Sequence, residues 1–501
     1  MTRRITGARS SGVLALLLAC LLAGALFPTA ASAQKQRKPS NNMWTRSARL
    51  YLDRARTNPR FEEKQELYRQ ALEAIQKGIE EDPGNAQVWL IAGQVYVQLD
   101  SAQQAHEAFS KAVELYPPYE KDVETERRNA WARWHNEGIG AIQQQDYERA
   151  LERFQAADLI YDKLPNARLQ LGSLYLRKGE TERAIAAFRG ALEILRGPAG
   201  DAVSGKDREQ WRQNEEVAAF NLAQLLANAG RYEEAEREYR AFLERDPQNR
   251  TAKTNLAIVL TRLGRTDEAN RIYGELLDEP DLTEEDYQVI GIGLLSGDEF
   301  DRAAEAFRKA LALNPYSRDA MYNLAQAIYR QGLALEERRQ AASGDEQVKA
   351  ATDLGALYAE LENLAEKLRA VDPYNRNALL LLAHAYRGQG DLAVQDAAKS
   401  DEWRAKALEV LREQENLPFE VKDLVMTPGE GKVRVSGLLQ NAKLAAGTPV
   451  TIEMSIVGKD GQTVGTQEIT VSAPEAEQAV SFEAEIEVSG EPAGFRYQAR
   501  S

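Results

Sequence analysis

Residues 85–117 read NAQVWLIAGQVYVQLDSAQQAHEAFSKAVELYP. Small residues stand where a helix could carry large ones, at Gly93, Ala105 and Ala112. Large residues stand between them, at Trp89, Tyr96 and Phe109. With Gly93 taken as the ruler residue of the stretch, Trp89 lies four before it and Tyr96 three after. Ala105, Phe109, Ala112 and Pro117 lie 12, 16, 19 and 24 after. Spacings of three and four along each half of the stretch are the period of an amphipathic helix.

The same grammar recurs along the chain. Gly138 has Trp134, Ala150, Phe154 and Ala157 in the matching places, and Gly172 has Tyr175, Ala184, Phe188 and Ala191. Ala223 has Leu226, Ala235, Tyr239 and Pro247, and Ala257 has Leu260, Ala269 and Tyr273. Gly291 has Tyr287, Leu294, Ala303, Phe307, Ala310 and Pro315. At Ala325 and Ala383 only the first half fits, through Ile328 and Tyr386. The steps 138 to 172, 223 to 257, 257 to 291 and 291 to 325 are each 34 residues; the remaining steps are 34 plus an insertion.

Each unit therefore reads as two helices. Asp82-Pro83, Asp246-Pro247, Asn314-Pro315 and Asp372-Pro373 close units, because proline ends the helix before it and is tolerated in the first turn of the next. Small residues set the distance between helices, and the aromatics between them supply buried area. A repeat array grows lengthwise without enlarging one core, so 501 residues need not mean three ordinary domains.

The period, the Trp-Leu-Gly-Tyr-Ala-Phe-Ala-Pro pattern and the helix pairing resemble tetratricopeptide repeats. That resemblance implies a mostly α fold: a right-handed α-solenoid of about eight units over residues 85–417, preceded by an irregular helix pair within 34–84. It also implies an interaction protein. The three insertions, PYEKDVETERR, GPAGDAVSGKDREQWRQ and EERRQAASGDEQVKAATD, are polar and suit surface loops or longer helices.

The two ends differ from the array. MTRRITGARSSG is basic, VLALLLACLLAGALF is apolar, and PTAASA ends in the small-x-small pattern Ala31-Ser32-Ala33. This is the layout of a signal peptide over residues 1–33, with an exported and most readily periplasmic or cell-surface product. The apolar run continues past Cys20 to Phe27, which argues against a lipoprotein cysteine. Cleavage after Ala33 would remove three arginines, no acid and the only cysteine, leaving a chain more acidic than the −14 of the whole. Such a chain is a poor nucleic-acid binder and has no disulfide chemistry. No later stretch is apolar enough to span a bilayer.

After Leu417 the grammar changes to period two. Val450, Ile452, Met454 and Ile456 alternate with polar residues, Lys459-Asp460-Gly461 marks a turn, and Val480, Phe482, Ala484, Ile486 and Val488 alternate with acids. Residues 418–501 are thus expected to form a small all-β sandwich of six or seven strands, resembling immunoglobulin-like modules.

Catalytic signals are sparse. GDAVSGKD, residues 200–207, places Gly200, Gly205 and Lys206 as in a phosphate loop, but Asp207 stands where Ser or Thr would bind magnesium, and no strand precedes it. His106, His135 and His384 lie in distant units without metal-site partners; His106 is expected to be solvated and the others structural. Neither a cofactor nor an enzymatic activity is expected.

Two positions before the ruler residue stand Ile91, Asn136, Gln170, Asn221, Asn255, Val289, Asn323 and Leu381. Primary amides both donate and accept, as an extended peptide backbone requires. The family resemblance implies that Asn136, Asn221, Asn255 and Asn323, with Gln170, form a ladder for such a segment on a concave face; asparagine also recurs here for purely structural reasons. One turn on come Gln94, Ser173, Gln224 and Gln326, with Ile139, Ile258 and Ile292 between them. Tyr322 and Tyr329 flank Asn323 as aromatic anchors. The expected partner is a protein or extended peptide segment. The alternative is carbohydrate or cell-wall binding by exposed aromatics of the β region, where Phe419, Phe482, Phe495 and Tyr497 are the rings available.

Overall fold

The computed structural model describes residues 37–500, so the export-type segment 1–33 lies outside the described residues. Among those residues, nine helix pairs follow one another. They are α1 (Met43–Thr57) with α2 (Phe61–Glu81), α3 (Ala86–Gln98) with α4 (Ala102–Leu115), α5 (Glu120–Gln143) with α6 (Tyr147–Ile160), and α7 (Asn166–Arg177) with α8 (Thr181–Leu195). After the one-turn α9 (Pro198–Asp201) come α10 (Lys206–Asn228) with α11 (Tyr232–Leu243), α12 (Arg250–Arg262) with α13 (Thr266–Leu277), and α14 (Glu284–Ser296) with α15 (Phe300–Leu313). The last pairs are α16 (Arg318–Ala341) with α17 (Asp345–Val371) and α18 (Arg376–Leu392) with α19 (Ala397–Glu415). The chain divides into two compact units, one ending at Glu215 and one beginning at Glu216.

The ruler residues behave as steric gauges. A Cβ on Gly93, Gly138, Gly172 or Gly291 would overlap the ring of Phe109, Phe154, Phe188 or Phe307, each 16 residues on in the partner helix. All four phenylalanines are buried. Where the gauge is Ala223 or Ala257, the second helix carries Tyr239 or Tyr273 instead. Burial pushes both phenols up to about 12, opposed by hydrogen bonds with Asn255 and Thr261 respectively. In the α16–α17 pair the 16-residue spacing of gauge and ring is lost, because the third insertion has lengthened these helices to 24 and 27 residues; in the last pair Lys399 stands at that position. The first insertion likewise extends α5, and the second forms α9, a loop and the start of α10.

Six strands follow: β1 (Phe419–Pro428), β2 (Lys432–Asn441), β3 (Pro449–Gly458), β4 (Thr463–Ser472), β5 (Ala479–Glu487) and β6 (Pro492–Arg500). They form two antiparallel three-stranded sheets, ordered β1-β2-β5 and β4-β3-β6. Val450, Ile452, Met454 and Ile456 face a common core with Val433, Val435, Phe482 and Ile486. The Lys459–Gly461 turn joins β3 to β4, with Gly461 at φ +80°.

This β region packs on two inter-helix turns of its own unit. Asn314 donates to the Ala493 carbonyl at 2.9 Å, and a Cβ on Gly461 or Gly494 would overlap Tyr316. Tyr374 donates to the Ala499 carbonyl at 2.6 Å and stacks on Phe419 with centroids 4.4 Å apart. Asp372 is 1% exposed and accepts from the Tyr497 hydroxyl at 2.7 Å and from Asn375 at 2.9 Å, with Arg318 at 3.6 Å. The two turns read Asn-Pro-Tyr-Ser and Asp-Pro-Tyr-Asn. Tyrosine after the Asx-Pro pair marks the turns that the β region covers.

Candidate interaction face

The first helices of the second unit stand side by side, α12 on α14, α14 on α16 and α16 on α18. Each starts at a side-chain cap: Asn249, Thr283, Ser317 and Asn375 accept from backbone N–H groups of the first turn. Such caps fix where each helix begins and hence the register of its surface residues.

In that register Asn221, Asn255, Asn323 and Gln326 are half-buried and Gln224 is exposed. Ile258 and Ile292 are 39% and 47% exposed, which is unusual for isoleucine and leaves their side chains available. At the positions two before and one after the ruler, the four units from Ala223 to Ala325 carry Asn, Gln, Ile and Val only, in a chain of which 28% is charged. Asn255 has a structural task as well, since it hydrogen-bonds with the buried Tyr239 hydroxyl. Asn221 and Asn323 make no side-chain hydrogen bond among the described residues. Gln326 donates to the Tyr322 hydroxyl at 2.6 Å, so these two form a local pair. Tyr329 instead leans on His384, with centroids 4.6 Å apart.

In the first unit Asn136 is exposed on α5 and Gln170 is half-buried on α7. The stripe ends there: Ile91 is fully buried, and in the second unit Leu381 is 6% exposed, so both are packing residues. Arg177, Arg262 and Arg330 are exposed on their helices.

The histidines are packing elements. His135 stacks on Trp131 at 4.7 Å and meets Phe154 edge-on at 5.4 Å, and burial lowers its pKa. His106 is not solvated as its sequence position suggests. It is half-buried with Nδ1 shielded, because α5, extended by the first insertion, brings Arg127 to its carbonyl at 3.3 Å. The phosphate-loop-like stretch connects α9 to α10, two helices, with no strand before it. Among the described residues no group of three His, Cys, Asp or Glu is placed to hold a metal ion, and no helix is long and apolar enough to cross a membrane. Phe419, Phe482, Phe495 and Tyr497 are all under 9% exposed, so the β region offers no ring for a sugar to stack on.

One feature of this face escapes the ruler. Tyr358, from the second helix α17, comes through to α18 and lies over Gly388. Five residues after the ruler, the other units carry Gln98, Gln143, Arg177, Asn228, Arg262, Ser296 and Arg330; glycine occurs only at 388. That single glycine was the available signal of a close approach.

The sequence profile of the tetratricopeptide repeat family matches residues 62–120, 135–200, 220–279 and 290–346. The helix pairs within those ranges are tetratricopeptide repeats. No curated protein matches the chain. Among solved structures, it is similar to residues 41 onward of MamA from Desulfovibrio magneticus RS-1 at 17% identity, covering 36% of this chain and 94% of that one with a TM-score of 0.31. It is also similar to the C-terminal part of a TPR repeat-containing protein from Cytophaga hutchinsonii at 15% identity, covering 55% and 93% with a TM-score of 0.36. YrrB, described as a TPR protein with an unusual peptide-binding site, shares 15% identity over 50% of this chain and 96% of its own, with a TM-score of 0.26. These partial likenesses carry no argument about a ligand.

Proposed function

We propose that this protein is an exported, non-enzymatic interaction scaffold that holds an extended protein segment along the first-helix face of its second unit. The observation that carries the reading is the uncharged stripe from Asn221 to Gln326. Amides at Asn221, Asn323 and Gln224 offer donors and acceptors to a peptide backbone, and the exposed Ile258 and Ile292, one 34-residue step apart, offer apolar contact to its side chains. The amides and isoleucines of the stripe offer no counter-charge to nucleic acid or a highly charged segment, although Arg262 and Arg330 stand one turn on. Export rests on the basic, apolar and small-residue order of residues 1–33. The immunoglobulin-like reading of residues 418–501 fits their two facing sheets.

The test is affinity capture from envelope extract by the full-length protein and by a variant carrying Ile258→Ser, Ile292→Ser and Asn323→Ala. Asn255 is kept, because its loss would strand the Tyr239 hydroxyl. The variant should keep its helical circular dichroism and lose at least one protein that the parent captures. Identical captured sets from parent and folded variant would refute the groove.

A further inference from the structure

The third insertion builds a second feature at the end of this face. The extended C-terminal half of α16, the middle of α17 and the end of α18 enclose a cavity of about 360 Å³. Tyr329, Tyr358 and His384 contribute three rings to its lining, and Leu333, 54% exposed, stands at its mouth. Gly388 makes the cavity possible, since a Cβ there would overlap the Tyr358 ring.

The polar groups of this cavity fall into two sets. The charges are spent internally: Arg339 grips Glu336 through two hydrogen bonds at 2.7 and 2.8 Å, and Asp391 has Arg387 at 3.8 Å and Arg404 at 3.4 Å. The lining is therefore electrically balanced. By contrast, the hydroxyls of Tyr329 and Tyr358 and the imidazole nitrogens of His384 make no hydrogen bond among the described residues. Three other tyrosines of the same unit are engaged, Tyr374 with Ala499, Tyr386 with Glu366 at 2.6 Å, and Tyr497 with Asp372, while the hydroxyls of Tyr232, Tyr287 and Tyr316 likewise make no hydrogen bond among the described residues. Burial, and then the nearby Arg387, lower the pKa of His384, so its ring is neutral near neutral pH and can both donate and accept.

Tyr322, Gln326, Tyr329 and Leu333 follow one another at four, three and four residues on α16, so the stripe runs into the cavity, whose four charged lining residues are paired with opposite charges. We propose that this cavity is an anchor site for an aromatic side chain of the partner segment, held by ring contacts with Tyr329, Tyr358 and His384. An uncharged ring suits a balanced, ring-lined cavity: it gains edge and face contacts without needing a counter-charge. A tyrosine or tryptophan ring adds a donor that His384 or a tyrosine hydroxyl accepts. This inference rests on the scaffold reading and names the chemistry of its partner.

The test uses the full-length protein with ¹³C-labelled histidine. The chain has three histidines, so His384 is assigned by comparison with a His384→Gln variant. N-acetyl-tyrosinamide is titrated in, beside N-acetyl-alaninamide. The tyrosine probe should shift the His384 signal and leave His106 and His135 in place, and Tyr329→Ala should weaken its binding about fivefold. Equal shifts from the alanine probe, equal shifts at all three histidines, or no shift up to the solubility limit would overturn the anchor site. The capture experiment fails separately: a partner lost by the Ile258/Ile292/Asn323 variant while the probe leaves His384 unmoved keeps the scaffold and removes the anchor.

Discussion

Two turns of the same kind sit in different surroundings. Asp82-Pro83-Gly84-Asn85 in the first unit and Asp372-Pro373-Tyr374-Asn375 in the second both end a helix with the aspartate N–H on a carbonyl four back, and both start the next helix with the asparagine side chain. Around Asp82 the cover is a chain segment: Arg37, 60% exposed, reaches the carboxylate, and Ser40 meets Asn85. Around Asp372 the cover is a sheet edge, with Tyr497, Arg318 and Asn375 converging on a carboxylate that is 1% exposed. One and the same helix-ending motif thus serves as a joint covered by a partly exposed ion pair in one place and as the floor of an intramolecular interface in another. What decides is the next residue, glycine or tyrosine, and what the chain later brings to it.

The largest effect that would break this contrast is Asp372→Ala. It leaves the Tyr497 hydroxyl, the Asn375 amide and Arg318 facing a vacated, buried position, and should cost about 3 kcal/mol in denaturant unfolding. A loss no greater than that of a surface change would show the β region to be loosely attached. Tyr374→Phe keeps the stack on Phe419 and removes only the hydrogen bond to the Ala499 carbonyl, so it should cost about 1 kcal/mol in the same measurement.

Acid sharpens the contrast further. Burial, against the opposing pull of Arg318, raises the pKa of Asp372. The folded state then binds that proton more tightly than the unfolded chain, so the stability Asp372 contributes is fullest below the ordinary aspartate range and falls as pH rises through the folded value. Glu236, on α11, behaves oppositely: burial opposes ionisation, but hydrogen bonds from Arg240 on the same helix and Arg265 at the start of α13 win and hold it below the ordinary range. Its contribution is present at neutral pH and is lost as pH falls through the folded value. As pH goes from 7 to about 4, the unfolding midpoint of the parent should rise relative to Asp372→Asn and fall relative to Glu236→Gln. Slopes of the same sign would show that the two carboxylates share one environment. The smallest effect belongs to Asp82→Ala, whose partner Arg37 is 60% exposed; it should cost no more than about 1 kcal/mol in denaturant unfolding.

Much of the fold was legible because repeats repeat. Gly93, Gly138, Gly172 and Gly291 each predicted a close approach, and each meets a phenylalanine. The count breaks at the third insertion: Tyr358, on the second helix of the Ala325 pair, meets Gly388 of the following pair. Of the stripe, its register and lack of charge were readable, but not that Asn255 is shared with Tyr239, that Gln326 is paired with Tyr322, or that Tyr329 and His384 meet.

By itself the sequence determined the period, the helix pairs, the gauge residues and the switch to strands after Leu417, because local spacing and residue size act within one helix or one pair. Only the tertiary structure decided which Asx-Pro turn is buried, which polar groups are already satisfied, and that α16, α17 and α18 enclose a cavity. Those outcomes depend on residues far apart in the chain, as Asp372 and Tyr497 are, and nothing in the local spacing of either one specifies the other.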